Sequence, residues 1–123
     1  MLPHRMVGMA DFPKRGEIWF VRLDPTQGSE IKKTRPALII SNNINNQFSP
    51  LVTALPISDK GEKVYPFEVL LPLGNTGLSK VSKVRCQQIR TVDKLRLVKQ
   101  LGSIPTSLMA SIEEALLLHL GMR

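Results

Sequence analysis

Short apolar runs separated by turn residues fill most of the chain. The runs favour strands because they are rich in β-branched and aromatic residues and are bounded by glycine, proline or asparagine. They predict strands at Gly16–Leu23, Pro36–Ile40, Leu51–Ile57, Tyr65–Leu71, Lys83–Ile89 and Arg96–Leu101. The fourth run is apolar at every second residue, which is typical of a half-buried strand. Between the second and third runs, Asn42–Pro50 is rich in turn residues and predicts one helical turn.

A helical pattern follows the last run. From Pro105 to Leu120, apolar residues and one histidine recur at spacings of three and four, at Leu108, Ile112, Ala115, Leu116 and His119. Proline suits the first turn of this helix, and Gly121 suits its end. The apolar face is wide enough to cover a small barrel on one side and a second subunit on the other. Packing against its own core explains the face equally well, and His119 is expected to be packed or capping.

Several short strands and one terminal helix predict a mainly β fold, a small and strongly bent antiparallel barrel with a C-terminal α-helix. We expect residues 13–123 to form a single domain, which is long enough to bury a core without disulfides or metal. Residues 1–12, with three methionines and no clear period, are expected to be a flexible N-terminal tail. The single Cys86 and two histidines predict no disulfide, no metal site and no cofactor.

The charge balance points to a polyanionic partner. The chain contains 17 lysines and arginines and 10 acidic residues, so its net charge is +7 and its isoelectric point is about 10. Such a charge fits a partner such as nucleic acid or an anionic membrane. No apolar run reaches the length of a membrane span, and the first residues lack the apolar core of a signal peptide. We therefore expect a cytoplasmic protein with no membrane partner.

Two stretches carry candidate chemistry. In Gly28–Ser41 a charged loop enters an apolar strand at Arg35, and Pro36 biases that arginine toward an extended backbone. An ordinary surface or ion-paired arginine is the alternative. In Lys80–Lys99 much of the positive charge accumulates, and a strand over Lys83–Ile89 would place Lys83, Arg85 and Gln87 on one face. That face can be a solvated edge or a binding surface.

Six ordered segments resemble the MazF/PemK family of toxin endoribonucleases, over about residues 13–121. Each segment is short, but their order and spacing make the match specific. They are Lys14–Trp19, Leu23–Pro25, Gly28–Glu30, Arg35–Leu38, Tyr65–Val69 and Arg85–Thr91.

The resemblance implies an SH3-like barrel, a homodimer through the C-terminal helix and adjacent strands, and metal-independent cleavage of single-stranded RNA, in particular mRNA, at a short sequence. It also implies a cognate MazE-like antitoxin whose extended, acidic tail lies in the RNA groove. In such cleavage the 2'-hydroxyl attacks the adjacent phosphorus. The reaction therefore needs a group that takes the proton, a group that protonates the 5'-oxygen, and a cation that stabilises the added negative charge.

By this resemblance, Arg35 matches the family's catalytic arginine, and Ser58 falls where the family carries a threonine or serine hydroxyl. A guanidinium binds two phosphate oxygens at once but stays protonated in proteins. Arg35 is therefore assigned charge stabilisation and leaving-group protonation, and the general base stays open. Ser58 is expected to bond the scissile phosphate or orient the nucleophile. Its other interpretation is a serine that closes a strand before Asp59.

The resemblance also marks six positions for RNA binding, namely Ser29, Glu30, Asn42, Arg85, Gln87 and Gln88. Many family members carry an acidic residue where this chain has Gln87, which cannot act as a general base but can read a base edge through its amide. Glu30 can instead pair with Lys32 or Lys33. Trp19 is expected in the core rather than as a stacking platform.

Two other functions remain open at this stage. A gyrase-poisoning toxin family shares the barrel but relies on a tryptophan near its C-terminus, whereas the only tryptophan here is Trp19. A non-catalytic nucleic-acid-binding module is consistent with the net charge and with Gln87. Cleavage of RNA distinguishes the enzyme from this module.

Overall fold

The computed structural model describes residues 11–23 and 34–123. Within these residues the chain forms seven antiparallel strands and two α-helices. They are β1 (Glu17–Arg22), β2 (Thr34–Ile39), α1 (Asn43–Phe48), β3 (Leu51–Asp59), β4 (Glu68–Leu71), β5 (Ser82–Arg85), β6 (Arg90–Asp93), β7 (Leu97–Ser103) and α2 (Thr106–His119). The predicted mainly β architecture with a C-terminal helix is confirmed.

The long strand β3 organises the sheet. The order is β4-β5-β3-β2-β1-β7, and β6 also pairs with β3. Residues 51–54 of β3 pair with β6, residues 54–56 with β2, and residues 57–59 with β5. One strand with three partners gives the sheet the bend that the short strands predict.

The two ends of the sheet meet through a turn. No strand pairing between β4 and β7 is present in the described part of the chain, so the predicted barrel is a bent sheet rather than a closed ladder. Instead, the Ser103 amide donates to the Asn75 carbonyl at 3.3 Å. A Cβ atom on Gly102 would lie 2.4 Å from that same carbonyl oxygen, and one on Gly77 would lie 2.0 Å from the Leu101 carbonyl oxygen. Glycine at these two positions permits the close approach.

The buried side chains form two clusters. The first packs with α2 and contains Ile18, Leu38, Ile40, Leu55, Ile57, Leu71, Val84, Cys86, Ile104, Ile112 and Ala115. The second contains Val21, Leu23, Ala37, Ile39, Val52, Ala54 and Val92, with Trp19 and Leu97 packed against it. Neighbouring residues of β2, Leu38 and Ile39, enter different clusters because strand side chains alternate between faces. Arg35 shares the face of Ala37 and Ile39 by the same alternation, and Trp19 lies against the core as predicted.

The helix α2 packs only part of its apolar surface. Ile112 and Ala115 are buried, whereas Leu118 is 45% exposed. Leu120 and Met122, beyond the end of the helix, are also exposed. His119, predicted to be packed or capping, is exposed in the last turn of α2, and its ring lies beside that of Phe67 at a centroid distance of 6.4 Å. No helix among the described residues is long and apolar enough to span a membrane.

Some predicted boundaries differ from the structure. β4 begins at Glu68 because residues 66 and 67 form a turn, and β5 ends at Arg85 because Cys86–Gln88 form a turn of 3-10 helix. β6 was not predicted, since Arg90–Asp93 contains a single apolar residue, Val92, and is defined by its pairing with β3. Of the predicted tail, residues 1–10 lie outside the described residues, so its flexibility and the domain boundary stay predictions.

Candidate functional site

Arg35 and Ser58 meet across the β2–β3 pair. The pairing of the two strands ends at Ala37 and Pro56, and Arg35 and Ser58 each lie two residues beyond that pair. The arginine side chain is exposed and the serine is half-buried. Pro36 lies near the start of β2, a strand position that tolerates proline. Two residues that lie 23 positions apart in the sequence therefore share one site.

A surface cavity of about 370 Å³ contains both residues. Its wall also includes the turn that precedes β5, and the polar lining residues are Arg35, Ser58, Asp59, Ser79, Lys80 and Ser82. The Ser58 hydroxyl donates to the Asp59 carbonyl at 3.2 Å. The Asp59 carboxylate forms an ion pair with Lys80 at 3.4 Å, and both side chains are about 70% exposed. The cavity therefore offers a guanidinium, hydroxyls, a carboxylate and an ammonium group.

The predicted polar face of β5 is a buried ionic network centred on Glu68. The Glu68 side chain is 1% exposed and lies 3.0 Å from Lys83 Nζ and 3.5 Å from Arg85 Nε. Gln87 Nε2 donates to its second oxygen at 2.7 Å, and the Tyr65 amide donates to its first oxygen at 3.1 Å. The predicted face is present, with Lys83, Arg85 and Gln87 on one side. Their side chains contact the Glu68 carboxylate, and Arg85 keeps about a third of its side chain in solvent.

These contacts keep Glu68 ionised. Burial by itself would raise the pKa of this carboxyl, but the hydrogen bonds from Gln87, the Tyr65 amide and Lys83, with the charge of Lys83, outweigh it and lower the pKa. The neighbouring Cys86 thiol responds in the opposite sense. Burial, and then the negative charge of Glu68, raise its pKa to about 11. Cys86 is therefore a neutral core thiol.

The network constrains two of the predicted RNA-binding residues. Arg85 keeps 34% of its side chain exposed, while its Nε and the Gln87 Oε1 are buried without a hydrogen-bond partner among the described residues. The Gln87 amide nitrogen is already used by Glu68. Gln88, on the same 3-10 turn, is exposed. Of the Arg85–Gln88 segment, Gln88 and the outer part of Arg85 are the groups that solvent reaches.

Asn42 lies away from the cavity. Its side chain caps α1 by accepting the Asn45 amide at 2.8 Å. It lies seven positions after Arg35 in the sequence, mostly along β2, which corresponds to roughly 20 Å at the rise of a strand. Ser29 and Glu30 lie outside the described residues. The structure thus brings Arg35 together with Ser58, and groups Arg85 with Gln87, and it leaves Asn42 apart within one chain.

Sequence reasoning missed Glu68, Asp59 and Lys80. A signal for Glu68 was present, because it is an acidic residue in a strand that precedes a strongly basic segment, and the register pairs it directly with Arg85. Asp59 and Lys80 are 21 residues apart, and nothing in the local pattern joins them. Among the residues described, no cluster of three or more histidine, cysteine, aspartate or glutamate side chains is placed to hold a metal ion.

The fold and the cavity together define a small basic β protein with an arginine and a serine on the wall of one surface cavity. Residues 14–120 match the model of a family described as the PemK-like, MazF-like toxin of type II toxin-antitoxin systems. The match covers more than half of the chain, and the protein belongs to this family.

Characterised relatives agree with this assignment. The chain is 40% identical to the endoribonuclease MazF9 of Mycobacterium tuberculosis over 114 residues, which cover 89% of this chain and 97% of that protein. It is 34% identical to the endoribonuclease EndoA of Bacillus subtilis over 110 residues, with 89% and 95% covered.

Solved structures show the same fold. A mycobacterial endoribonuclease in complex with its cognate antitoxin superposes with a TM-score of 0.76 at 27% identity, over 90% of this chain and 97% of that one. A crystal structure of MazF from Deinococcus radiodurans gives a TM-score of 0.75 at 33% identity, over 90% and 98% of the two chains.

Proposed function

We propose that the protein is a toxin endoribonuclease that cleaves single-stranded RNA, including mRNA, at a short sequence without a metal ion. Such cleavage inhibits translation and growth until an antitoxin neutralises the toxin. The observation that carries the proposal is that Arg35 and Ser58 line the same surface cavity, in a chain of this toxin family. We place its action in the cytoplasm, where its substrate is found.

The cavity supplies the charge that the reaction requires. When the 2'-hydroxyl attacks the phosphorus, negative charge accumulates on the phosphoryl oxygens, and the Arg35 guanidinium stabilises it through paired hydrogen bonds. The Ser58 hydroxyl, on the facing strand, positions the scissile phosphate. The departing 5'-oxygen accepts a hydrogen bond from Arg35 and takes its proton from a water that the guanidinium orients, so the arginine stays charged.

The general base, which the sequence left open, is proposed to be Asp59. Among the described residues of the cavity wall, it is the one carboxylate, and its side chain is 69% exposed beside Ser58. A carboxylate in that position can accept the proton of the attacking 2'-hydroxyl. Gln87 has no such capacity, because its amide cannot take up a proton at neutral pH.

Two partners follow from the same proposal. The exposed Leu118, Leu120 and Met122 leave apolar surface at the end of the chain for a homodimer through α2 and adjacent strands. The net charge of +7 suits an antitoxin whose acidic, extended segment occupies the RNA groove. A mycobacterial relative of the same fold was solved with its cognate antitoxin, which supports this expectation.

The decisive test is cleavage of a long RNA in EDTA. We expect cutting at a short recurrent sequence, no cutting of the all-deoxy counterpart, and products that end in a 2',3'-cyclic phosphate and a 5'-hydroxyl. Arg35→Ala should lower the rate at least about 100-fold, as expected for loss of a donor to a developing oxyanion. Arg123→Ala, which removes the same charge at the far end of the chain, serves as the matched control.

The alternatives give different results. Binding of RNA without cleavage would favour a non-catalytic module, and DNA breakage in the presence of gyrase would favour a gyrase poison. An Arg35→Ala protein that cuts as fast as the parent would remove the arginine from the mechanism.

A further inference from the structure

A row of stacked side chains lies at the turn that precedes the edge strand β4. The rings of Tyr65 and Phe67 are parallel within 2°, with their centroids 5.4 Å apart. Lys63 Nζ caps the outer side of the row, 4.9 Å from the centre of the Tyr65 ring. His119, on α2, closes the inner end at a centroid distance of 6.4 Å from Phe67. We call these four residues the aromatic row.

The outer ring of the row is held in a fixed position. The Tyr65 amide donates to Glu68 Oε1 at 3.1 Å, and the Glu68 amide donates back to the Tyr65 carbonyl at 2.8 Å. Pro66 removes backbone freedom between them. Tyr65 as a whole residue is 42% exposed. A rigid, exposed ring supported by a second ring is a surface that loses little entropy when a flat partner binds it.

The aromatic row begins close to the Arg35–Ser58 cavity. Lys83 is the register partner of Ser58 on the neighbouring strand, and its Nζ donates to the Lys63 carbonyl at 2.8 Å. One strand spacing of about 4.8 Å and one lysine side chain therefore separate Ser58 from the start of the row. A strand of RNA with its scissile phosphate at Arg35 would meet Tyr65 next along this path.

The chemistry around the ring selects the partner. The row carries a flat π surface, and Lys63 supplies positive charge over the Tyr65 ring. Arg85 adds a partly exposed cation that contacts Glu68, the acceptor of the Tyr65 amide. Single-stranded RNA offers both complements, since each nucleotide has a base with a π face and a phosphate. An acidic peptide would satisfy the cations but would leave the ring without a stacking partner.

Lys63 does not prevent such binding. A cation over an exposed ring contributes about 2- to 5-fold to an equilibrium constant, whereas a stacked base contributes roughly 5- to 150-fold. A base can therefore displace the exposed ammonium from the Tyr65 face. The released ammonium then lies next to the phosphate of the same nucleotide.

We propose that Tyr65, supported by Phe67, is a stacking platform for one nucleobase of the RNA strand adjacent to the scissile phosphate. The proposal rests on the proposed RNA-cleaving function and adds a subsite to it. Lys63 acts as an exchangeable cap that covers the ring in the free protein and contacts the phosphate in the complex.

The test uses the full chain and an oligonucleotide that spans a mapped cleavage site, with a single 2'-deoxy nucleotide at the cut so that binding is measured without turnover. Tyr65→Ala should weaken binding roughly 5- to 150-fold, and Tyr65→Phe should stay within about 2-fold of the parent, because the ring is kept. Phe12→Ala is the matched control, since Lys14 Nζ caps that ring at 4.6 Å.

An abasic scan locates the stacked base. Each base of the oligonucleotide is removed in turn, and the affinity is measured for the parent and for Tyr65→Ala. At one position, removal of the base should lower the RNA affinity of the parent by the same factor as the Tyr65→Ala substitution does. Removal of the same base should leave the affinity of the Tyr65→Ala protein unchanged. Lys63→Gln should reduce the slope of log affinity against log salt by about 0.7, the value for one phosphate contact on a single strand.

The outcomes separate this proposal from the function on which it rests. If the parent cuts RNA and Tyr65→Ala binds within 2-fold of it, the stacking platform is refuted and the endoribonuclease stands. If Tyr65→Ala changes the oligomeric state and weakens binding equally at every abasic position, the ring belongs to a protein interface. If the parent binds RNA through Tyr65 but does not cut it, the stacking platform survives and the proposed function fails. Absence of both binding and cutting refutes both.

Discussion

Glu68 is expected to stabilise the fold more than any exposed acidic residue of the described chain. Its side chain is 1% exposed, and it accepts from Gln87 at 2.7 Å and from the Tyr65 amide at 3.1 Å. Lys83, at 3.0 Å, is itself only 11% exposed. Glu68→Gln keeps the shape but presents amide hydrogens to these donors. Since removal of one partner leaves a buried charge uncompensated, we expect a loss of about 3–5 kcal/mol in the free energy of unfolding.

The measurement is urea denaturation followed by the fluorescence of Trp19, the single tryptophan, which packs against the second core cluster. A fixed protein concentration is needed because dimer formation would couple to unfolding. Asp59→Asn is the control, since Asp59 and Lys80 form an exposed pair that contributes less than about 1 kcal/mol. Glu68→Leu combined with Lys83→Met should recover at least about 1 kcal/mol relative to Glu68→Leu alone, because the double change removes both buried charges.

The pH dependence provides an independent check. The folded protein lowers the pKa of Glu68, so the stabilisation from this carboxylate is fully present above its unfolded pKa of about 4.3. It is lost as the pH falls through the lower, folded pKa. The difference between parent and Glu68→Gln should therefore be constant from pH 7 to about pH 5 and should shrink below pH 4.3. A Glu68→Gln protein within about 1 kcal/mol of the parent at pH 7 would refute this account of the network.

Two further changes test the site and the sheet. Asp59→Asn should lower the cleavage rate by about 100-fold or more at unchanged RNA affinity, the effect of losing a general base, and an unchanged single-turnover rate would place the base elsewhere. Gly102→Ala should lower the unfolding free energy by at least about 1–3 kcal/mol, because its Cβ would meet the backbone of Asn75 and Thr76 within 2.5 Å. Gly61→Ala, where nothing lies within 4 Å but φ is +66°, is its control and carries only the backbone cost of a left-handed alanine, about 1 kcal/mol. A loss at Gly102 no larger than that at Gly61 would mean that the turn can move away from β7.

Much of the fold follows from local pattern. The alternation in β2 that sends Leu38 and Ile39 into different clusters is visible in the sequence, and so is the helical spacing that buries Ile112 and Ala115 in α2. Boundaries were less predictable where long-range contacts decide them. The apolar alternation through Tyr65 and Phe67 is typical of a strand, yet reciprocal hydrogen bonds with Glu68 hold these residues in a turn.

The candidate site was predictable to a smaller extent. Arg35 and Ser58 were named from a family resemblance, and their juxtaposition depends on the β2–β3 register, which local sequence does not specify. The burial of Glu68 required the loop at Lys63–Tyr65 to cover the polar face, and the ion pair of Asp59 with Lys80 required the turn before β5 to fold back. Both are long-range consequences of topology, so residue types alone did not reveal them.

Gln87 and the buried Glu68 carboxylate belong to one hydrogen-bonded network. A carboxylate at 87 would place a second anion about 2.7 Å from Glu68 Oε2, and like charges at that distance cannot both stay ionised. The Gln87 amide instead donates to Glu68. The carboxylate remains ionised and pairs with the side chains of Lys83 and Arg85, both on β5. Glutamine at position 87 is therefore compatible with a buried, ionised Glu68, whereas a carboxylate there would not be. Because the Gln87 amide cannot accept the proton, the proposed base is Asp59, the one carboxylate among the described residues of the cavity wall.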